Sequence, residues 1–202
     1  NVHVIPTTID TDYYVPGANS KPENSVCIGW TGSTTTLKHF SLATGFLERL
    51  KEKYKEGLSF RLIADRPYEN SIEGLEFVKW RKESEVKDLL HIDIGIMPLP
   101  DDAWSRGKCG FKGLQYMSLE IPAVLSPVGV NKDIITDGEN GFLASTAEEW
   151  FDILCRLIES PELRKQIGKR GRQTVVERFS FDSQKERYVS LFNTVCLKAK
   201  KK

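Results

Sequence analysis

Residues 92–126 read IDIGIMPLPDDAWSRGKCGFKGLQYMSLEIPAVLS. The segment 92–99, IDIGIMPL, is the most apolar run of the chain, as expected of a strand covered on both faces. It leads through PDDAWSR (100–106) into a stretch that reads as a helix from Gly107 onward. Phe111, Leu114 and Met117 recur there at helical spacing, and Pro122 bars continuation. PAVLS (122–126) then reads as another strand. Strand, polar loop, helix, strand is the unit of a parallel sheet.

The flanking sequence repeats the pattern. VCIGWT (26–31) enters the polar loop GSTTT (32–36), and Phe40, Ala43, Phe46, Leu47, Leu50 and Tyr54 follow at helical period. LSFRLIA (58–64) ends in the turn-like DRPYEN (65–70), LEFVKW (75–80) is a further strand, and ESEVKDLL (83–90) is helical. GFLAS (141–145) reads as a short last strand. Beyond it Thr146 and Glu149 have capping-box spacing ahead of the stripe Trp150, Phe151, Leu154, Leu157, Ile158. Ser160 and Pro161 restart a helix through Leu163, Ile167, Val175 and Phe179, with Gly168 and Gly171 as places where it could break, and a final helix covers about 183–197. The expected fold is α/β, a parallel sheet with helices on both faces and a helical C-terminal tail. The loops 32–36, 65–71 and 100–110 all follow strands and share the carboxyl edge, where such sheets bind ligands.

With 202 residues, 40% hydrophobic and 28% charged, the chain has the composition of a globular protein able to bury a core. A net charge of +1 provides no global field for nucleic acid or an acidic membrane, so any anion site is local. The basic end LKAKKK (197–202) reads as a solvated tail. Cys27, Cys109, Cys155 and Cys196 form no Cys-x-x-Cys pair, which suits free thiols in a reducing cytoplasm and argues against a zinc site. No run approaches the ~20 apolar residues of a membrane span. The opening NVHVIP, with no signal peptide, is expected of a chain cut at a domain boundary.

The central stretch carries a charge conflict. Arg106, Lys108 and Lys112 crowd the opening of the expected helix, whose N-terminus already carries about half a positive charge. Gly107, Gly110 and Gly113 sit where helix formers would be better, at roughly 1 kcal/mol each in a helix interior. Two accounts are open. An anion such as a diphosphate could neutralise Lys108 and Lys112 while the glycines let it approach the N–H groups of Cys109 and Gly110. Alternatively Asp101, Asp102 and solvent balance the lysines and the glycines serve tight packing. The loop GWTGSTTTLKH offers a second anion cradle through Gly32, Ser33 and Lys38, or else Thr35 or Thr36 merely caps the next helix. Neither stretch is a Walker loop or a G-x-G-x-x-G. Catalytic groups are sparse: His3, His39 and His91 stand alone, and Asp101-Asp102 lacks the spaced partners of a metal site.

VIPTTIDTDYY, GWTGSTTTLKHF, the stretch from Asp93 to Gly129 and DGENGFLASTAEEW together resemble group 1 (family 4) glycosyltransferases of GT-B fold. The similarity is to the Rossmann-like C-terminal domain that binds the nucleotide sugar, and it runs from about Val4 to Val195. The resemblance implies an inter-domain linker over 1–20, with Thr7-Thr8 in place of the usual Asn-Gly. A donor-binding domain would cover 21–180. A helix over 181–202 would cross back to an acceptor-binding domain preceding Asn1, so apolar surface from Phe181 onward would be exposed.

Carried over residue by residue, the family's Glu-x7-Glu motif falls on 107–115, and both carboxylates are absent. Gly107 stands where the first contacts the transferred sugar, with Arg106 or Asp102 as substitutes, and Gln115 where the second binds the ribose. Trp30 or Thr31 replaces the usual diphosphate-binding Arg, leaving Lys38, with Lys108 and Lys112 compensating. The backbone of Val78 or Lys79 would read the base, and Trp80 is at least as well read as core. The implied activity is retaining transfer from a nucleoside diphosphate sugar, with no metal and no other cofactor, in the cytoplasm, inactive in this chain alone. Any membrane association of the full-length protein is expected to be peripheral. Two other readings stand beside it: a non-catalytic nucleotide-sugar-binding or assembly module of GT-B descent, favoured by the missing carboxylates, and a flavodoxin-like signalling domain with Asp65 or Asp101 as phosphoacceptor.

Overall fold

The computed structural model describes residues 3–17, 25–69 and 72–199. Parts of the expected linker (1, 2 and 18–20), of the expected donor-binding domain (21–24), of the loop 65–71 (70 and 71) and of the basic end (200–202) lie outside the described residues. Six strands form one parallel sheet: β1 (Val26–Thr31), β2 (Leu58–Ala64), β3 (Leu75–Lys79), β4 (Ile94–Met97), β5 (Ala123–Leu125) and β6 (Phe142–Leu143). Their spatial order is β3-β2-β1-β4-β5-β6, a doubly wound, Rossmann-like arrangement. Register follows the pleat, with Ile28 and Gly29 of β1 opposite Ile94 and Gly95 of β4.

Alternation divides the core between two faces. Ile28, Trp30, Leu62, Ile94 and Ile96 point to one face, where α2 (Thr44–Tyr54) and α7 (Ala147–Glu159) pack and Phe46 stacks on Trp150 at 5.1 Å. Ile63, Met97, Ala123 and Leu125 point to the other, beneath α5 (Phe111–Ser118) and α8 (Pro161–Arg178). All four residues of β4 are buried, as its apolar run requires. The N-terminal segment lies on the second face. Ile9 N–H donates to the Phe179 carbonyl at 2.8 Å, and the Arg172 guanidinium donates to the carbonyls of Thr11, Tyr14 and Ser118.

Several local expectations change. The helical period starting at Phe40 is split: α1 (Leu37–Phe40) passes through a 3-10 turn at Ser41–Ala43 before α2 begins. Gly168 and Gly171 do not break α8, which runs unbroken because both glycines serve its approach to neighbouring backbone. The last helix, α9 (Phe181–Ala199), starts two residues earlier than the period suggests and leaves Phe181, Val189, Phe192 and Val195 exposed. Among the described residues no helix is long and apolar enough to cross a membrane.

The capping box at α7 is formed. Glu149 N–H donates to Thr146 Oγ1 at 3.2 Å, and Glu149 Oε2 accepts from the N–H groups of Ser145 and Thr146 at 2.7 and 3.2 Å. Thr146→Ala is expected to lower stability by about 1 kcal/mol and Thr146→Ser by only a few tenths, measured by urea unfolding.

Candidate functional site

The chain reverses direction across the sheet between β1 and β4, so the loops leaving their carboxyl ends part and open a crevice. Two elements leave β4 into it. Asp102 caps the single turn α4 (Ala103–Arg106), its carboxylate accepting from Ser105 N–H at 2.7 Å. Gly107 ends that turn, and Gly110 (φ 71°) swings the chain into α5. A Cβ at Gly110 would lie 2.4 Å from Cδ1 of Ile134, in the short helix α6 (Asn131–Ile134), and in a left-handed backbone that other residues resist, so only glycine serves there. Tyr116 ties α5 to β1: its hydroxyl accepts from Thr31 N–H at 3.0 Å, and full burial pushes that hydroxyl's pKa well up.

Between these elements lies a cavity of about 490 Å³. Thr31, Gly32 and Ser33 line one wall, Asp65, Trp80 and Glu85 a second, and Phe111, Lys112 and Gln115 of α5 a third. The loop after β1 is braced from within and by the loop after β2: Ser33 N–H donates to Thr36 Oγ1 at 3.0 Å, and Thr34 Oγ1 donates to Asp65 Oδ2 at 2.7 Å. That hydroxyl holds the Asp65 carboxyl below the usual range.

Lys112 is the electrostatic centre. Its Nζ lies 5.2 Å from the Trp30 ring centroid, and it makes no hydrogen bond or ion pair among the described residues. Burial first, and then the charge of Lys108, lower its pKa from the ordinary 10.5 to about 8. Burial and Lys38 push Lys108 down as well. His39, 2% exposed, is held below its ordinary pKa by burial, then by Lys108, Lys38 and Lys112, and its Nε2 has no partner among the described residues. Lys108 thus acts on Lys112 in the first turn of α5, and Lys38 of α1 acts on Lys108, while the helix dipole opposes the positive charge of Lys112; an anion would relieve these repulsions together.

A carboxylate network closes the opposite end. Glu85, in the first turn of α3 (Glu85–Leu89), accepts from Tyr14 Oη at 2.7 Å, from Trp80 Nε1 at 2.9 Å and from Gln115 Nε2 at 3.1 Å. Gln115 Nε2 also donates to Tyr14 Oη at 2.9 Å. Burial and the neighbouring Glu85 carboxylate keep the Tyr14 hydroxyl protonated far above its ordinary range.

The family model described as "Glycosyl transferases group 1" matches residues 26–160, two thirds of the sequence. The chain belongs to the group 1 glycosyltransferases. It is 28% identical over 129 residues to "Glycosyltransferase 1 domain-containing protein 1" of Xenopus tropicalis, covering 64% of this chain and 37% of that protein. It is 32% identical over 74 residues to a trehalose synthase of Pyrococcus horikoshii, 37% of this chain and 18% of that one. The chain therefore spans well under half the length of these curated relatives. The same fold occurs in the C-terminal domain of a group 1 glycosyltransferase (LpcC) from Francisella tularensis, with a TM-score of 0.68 at 18% identity over 85% of this chain and 98% of that domain. A glycosyltransferase from Rickettsia africae gives 0.77 at 16% identity over 96% of this chain and 57% of that one. Anabaena HepE, whose structure holds UDP and glucose, gives 0.74 at 15% over 95% and 56%. The fold is that of the GT-B C-terminal domain.

In this glycosyltransferase domain the residues singled out from sequence fall into groups. Gly32, Ser33, Lys112 and Gln115 line the 490 Å³ cavity. Arg106, Gly107, Lys108 and Cys109 line a second cavity of about 560 Å³, against Ile5, Pro6 and Thr7 of the N-terminal segment. Arg106 is there ion-paired to Asp101 at 2.7 Å. Lys38 is exposed and lines a shallow pocket with Arg66 and Tyr68, within the electrostatic reach of Lys108. Lys108 and Lys112 do not share a helix face: α5 starts at Phe111, because Gly110 turns left-handed, and Lys108 stays in the preceding loop. Val78 is half-buried and Lys79 exposed, and neither lines the 490 Å³ cavity. Trp80 does line it, 41% exposed, so of the two readings left open for it the core one falls: the indole is held at the cavity by its hydrogen bond to Glu85. Ser33, not Thr36, is the N-cap of the turn after β1, its N–H donating to Thr36 Oγ1, and Thr36 occupies the N-cap position of α1 without a side-chain cap bond. Sequence reasoning sets His39 aside as a lone histidine and assigns no site role to Tyr14 or Glu85. A usable signal exists for Glu85, which opens the helix after β3 and so belongs to the same carboxyl edge as the three loops.

Among the described residues no group of three His, Cys, Asp or Glu side chains is placed to hold a metal ion.

Proposed function

We propose that this chain is the donor-binding part of a retaining glycosyltransferase that moves a sugar from a nucleoside diphosphate sugar to an acceptor hydroxyl. The observation that carries the reading is Lys112, a half-buried ammonium without an acidic partner among the described residues, in a cavity at the topological switch point. The diphosphate sits at the first turn of α5, against the N–H groups that open the helix and the backbone of Cys109 and Gly110. Lys112 stands directly behind it, Lys108 and Lys38 flank it, and Gly32 and Ser33 form the facing loop. The base lies toward β3, with Trp80 as an aromatic surface beside the backbone of Val78 and Lys79. The sugar lies toward Arg106 and Gly107.

The chemistry asked of these residues is electrostatic. As the bond from the anomeric carbon to the leaving diphosphate breaks, negative charge grows on the phosphate oxygens. Preorganised N–H groups and lysines stabilise it without a metal or a protein nucleophile, a role worth about 3 kcal/mol per well-placed donor. Residues 1–20 act as a linker, 21–180 bind the donor, and the segment 181–202, which contains α9, returns to an acceptor-binding domain. This chain alone is expected to transfer nothing, and measurable sugar transfer by it would overturn the two-domain mechanism.

Calorimetric titration with UDP, GDP and ADP tests the site, with UDP first because the HepE structure holds it. Saturable binding of one nucleotide, weakened about 10- to 100-fold by Lys112→Ala, is the expected result. Absence of binding by all three would remove the reading. The missing carboxylates at Gly107 and Gln115 favour a second reading, a nucleotide-sugar-binding module that no longer transfers. Turnover by the full-length protein with added acceptor separates the two.

A further inference from the structure

Resting on that reading of the cavity, we propose that Glu85 supplies the carboxylate that recognises the ribose diol, delivered from α3 where α5 carries only Gln115. Four observations converge on it. Glu85 lines the cavity and is half-buried, so a ligand reaches it from the cavity side. Its position is over-determined: Tyr14 and Trp80 donate to different oxygens at 2.7 and 2.9 Å, which fixes the plane of the carboxylate. Gln115 does not act as an independent polar group, since its Nε2 is committed to Glu85 at 3.1 Å and to Tyr14 at 2.9 Å. Finally, the acceptor count suits a diol. A carboxylate has about four acceptor sites; Oε1 uses two, on Trp80 and Gln115, and Oε2 one, on Tyr14. Oε2 keeps one site for a hydroxyl, and Gln115 Oε1, unpartnered among the described residues, offers an acceptor for the second.

This makes Glu85 a specificity-determining residue for ribonucleotides. It also joins the N-terminal segment to the donor site, because Tyr14 holds the same carboxylate while Arg172 holds the Tyr14 carbonyl at 2.9 Å. Trp80, pinned by the same oxygen that Gln115 uses, keeps its ring at the cavity edge.

The test compares UDP with 2′,3′-dideoxy-UDP by calorimetry, with the GDP and ADP pairs run in parallel, on this chain and three variants. The unaltered chain is expected to prefer the ribonucleotide by about 10- to 100-fold, the range of a hydrogen bond to a charged group. Glu85→Gln should bring that preference to within about twofold while leaving binding of the dideoxynucleotide nearly unchanged. The exchange Glu85→Gln/Gln115→Glu, which returns the charge to α5, should restore the preference, and Gln115→Ala alone should weaken it less than Glu85→Gln does. Retention of the full preference in Glu85→Gln, with its circular dichroism and thermal midpoint unaltered, would overturn the inference and leave the donor site standing. If Glu85→Gln fails to fold, the exchange variant decides: restored preference supports the inference and none overturns it. No binding of any nucleotide by the unaltered chain would overturn both.

Discussion

Lys112→Met is expected to stabilise the ligand-free protein at pH 7 by about 2 to 3 kcal/mol and to cost it nucleoside diphosphate binding. The size follows from the pKa. Burial and Lys108 bring Lys112 from 10.5 to about 8, and at about 1.4 kcal/mol per pH unit the folded state carries roughly 3 kcal/mol of unfavourable charge burial. The Trp30 ring face recovers part of it in the protonated state, and methionine keeps the aliphatic packing. The sign fixes the pH window. Because the folded pKa lies below the unfolded one, the unfolded chain binds the extra proton between about pH 8 and 10.5, so the penalty is fully present below 8 and disappears toward 10.5. Urea unfolding of the two proteins should therefore differ most at pH 7 and converge as pH rises through that window. A saturating nucleoside diphosphate should reverse the ranking, since it pairs the charge that methionine lacks, and its binding near pH 8.5 should take up a proton, read by calorimetry in buffers of different ionisation enthalpy. Equal stability at pH 7, or a methionine variant that binds as tightly as the unaltered chain, would mean that the ammonium is not held ready for an anion.

The charge conflict behind this result is legible in the sequence because it is one-dimensional: three basic residues and three glycines fall between Arg106 and Gly113, at a helix start. The same holds for the sheet. Short apolar runs alternating with 3.6-period stretches leave little choice but a parallel sheet with two covered faces, and the carboxyl-edge rule then places the loops. What escapes such a reading is what depends on a single backbone angle or on distant partners. Gly110 adopts a left-handed φ of 71°, which moves the helix start from 107 to 111 and takes Lys108 off the face of Lys112. Periodicity has no means of registering such a turn. Trp80 stays undecided between core and site in the sequence because large aromatics suit both, and a hydrogen bond to a residue five positions downstream decides its place. Tyr14, Glu85 and Gln115 converge from three segments, Tyr14 and Gln115 being 101 residues apart, and only the fold brings them together.

Gly168→Ala is expected to cost about 3 kcal/mol or more, although alanine is the better helix former by about 1 kcal/mol. The cause lies across the interface. α5 ends in a Schellman motif: Glu120 N–H donates to Met117 O and Ile121 N–H to Tyr116 O, with Glu120 in the left-handed region at φ 58°. The Glu120 carbonyl then points at α8, and a Cβ at Gly168 would lie 1.9 Å from its oxygen and 2.7 Å from its carbon. Both groups are backbone within rigid elements, so no rotamer change relieves the clash and α8 has to move. That movement also pulls on Arg172, one turn along α8, which holds the carbonyls of Ser118 and Tyr14. Displacing it loosens the hydroxyl that Glu85 uses, so the variant should lose ribonucleotide preference along with stability. Gly171→Ala is the graded control: its Cβ would meet Asn140 O at 3.1 Å and the flexible Met117 side chain at 3.4 Å, and about 1 kcal/mol is expected. Glu120→Gly should be neutral or stabilising, since it removes a left-handed conformation that costs a non-glycine residue about 1 kcal/mol. In the Gly168→Ala background it should restore part of the loss, because a glycine at 120 can shift its carbonyl. Thermal and urea unfolding of these variants measure the differences, and a Gly168→Ala protein as stable as its parent would show that α8 does not depend on backbone contact with the end of α5.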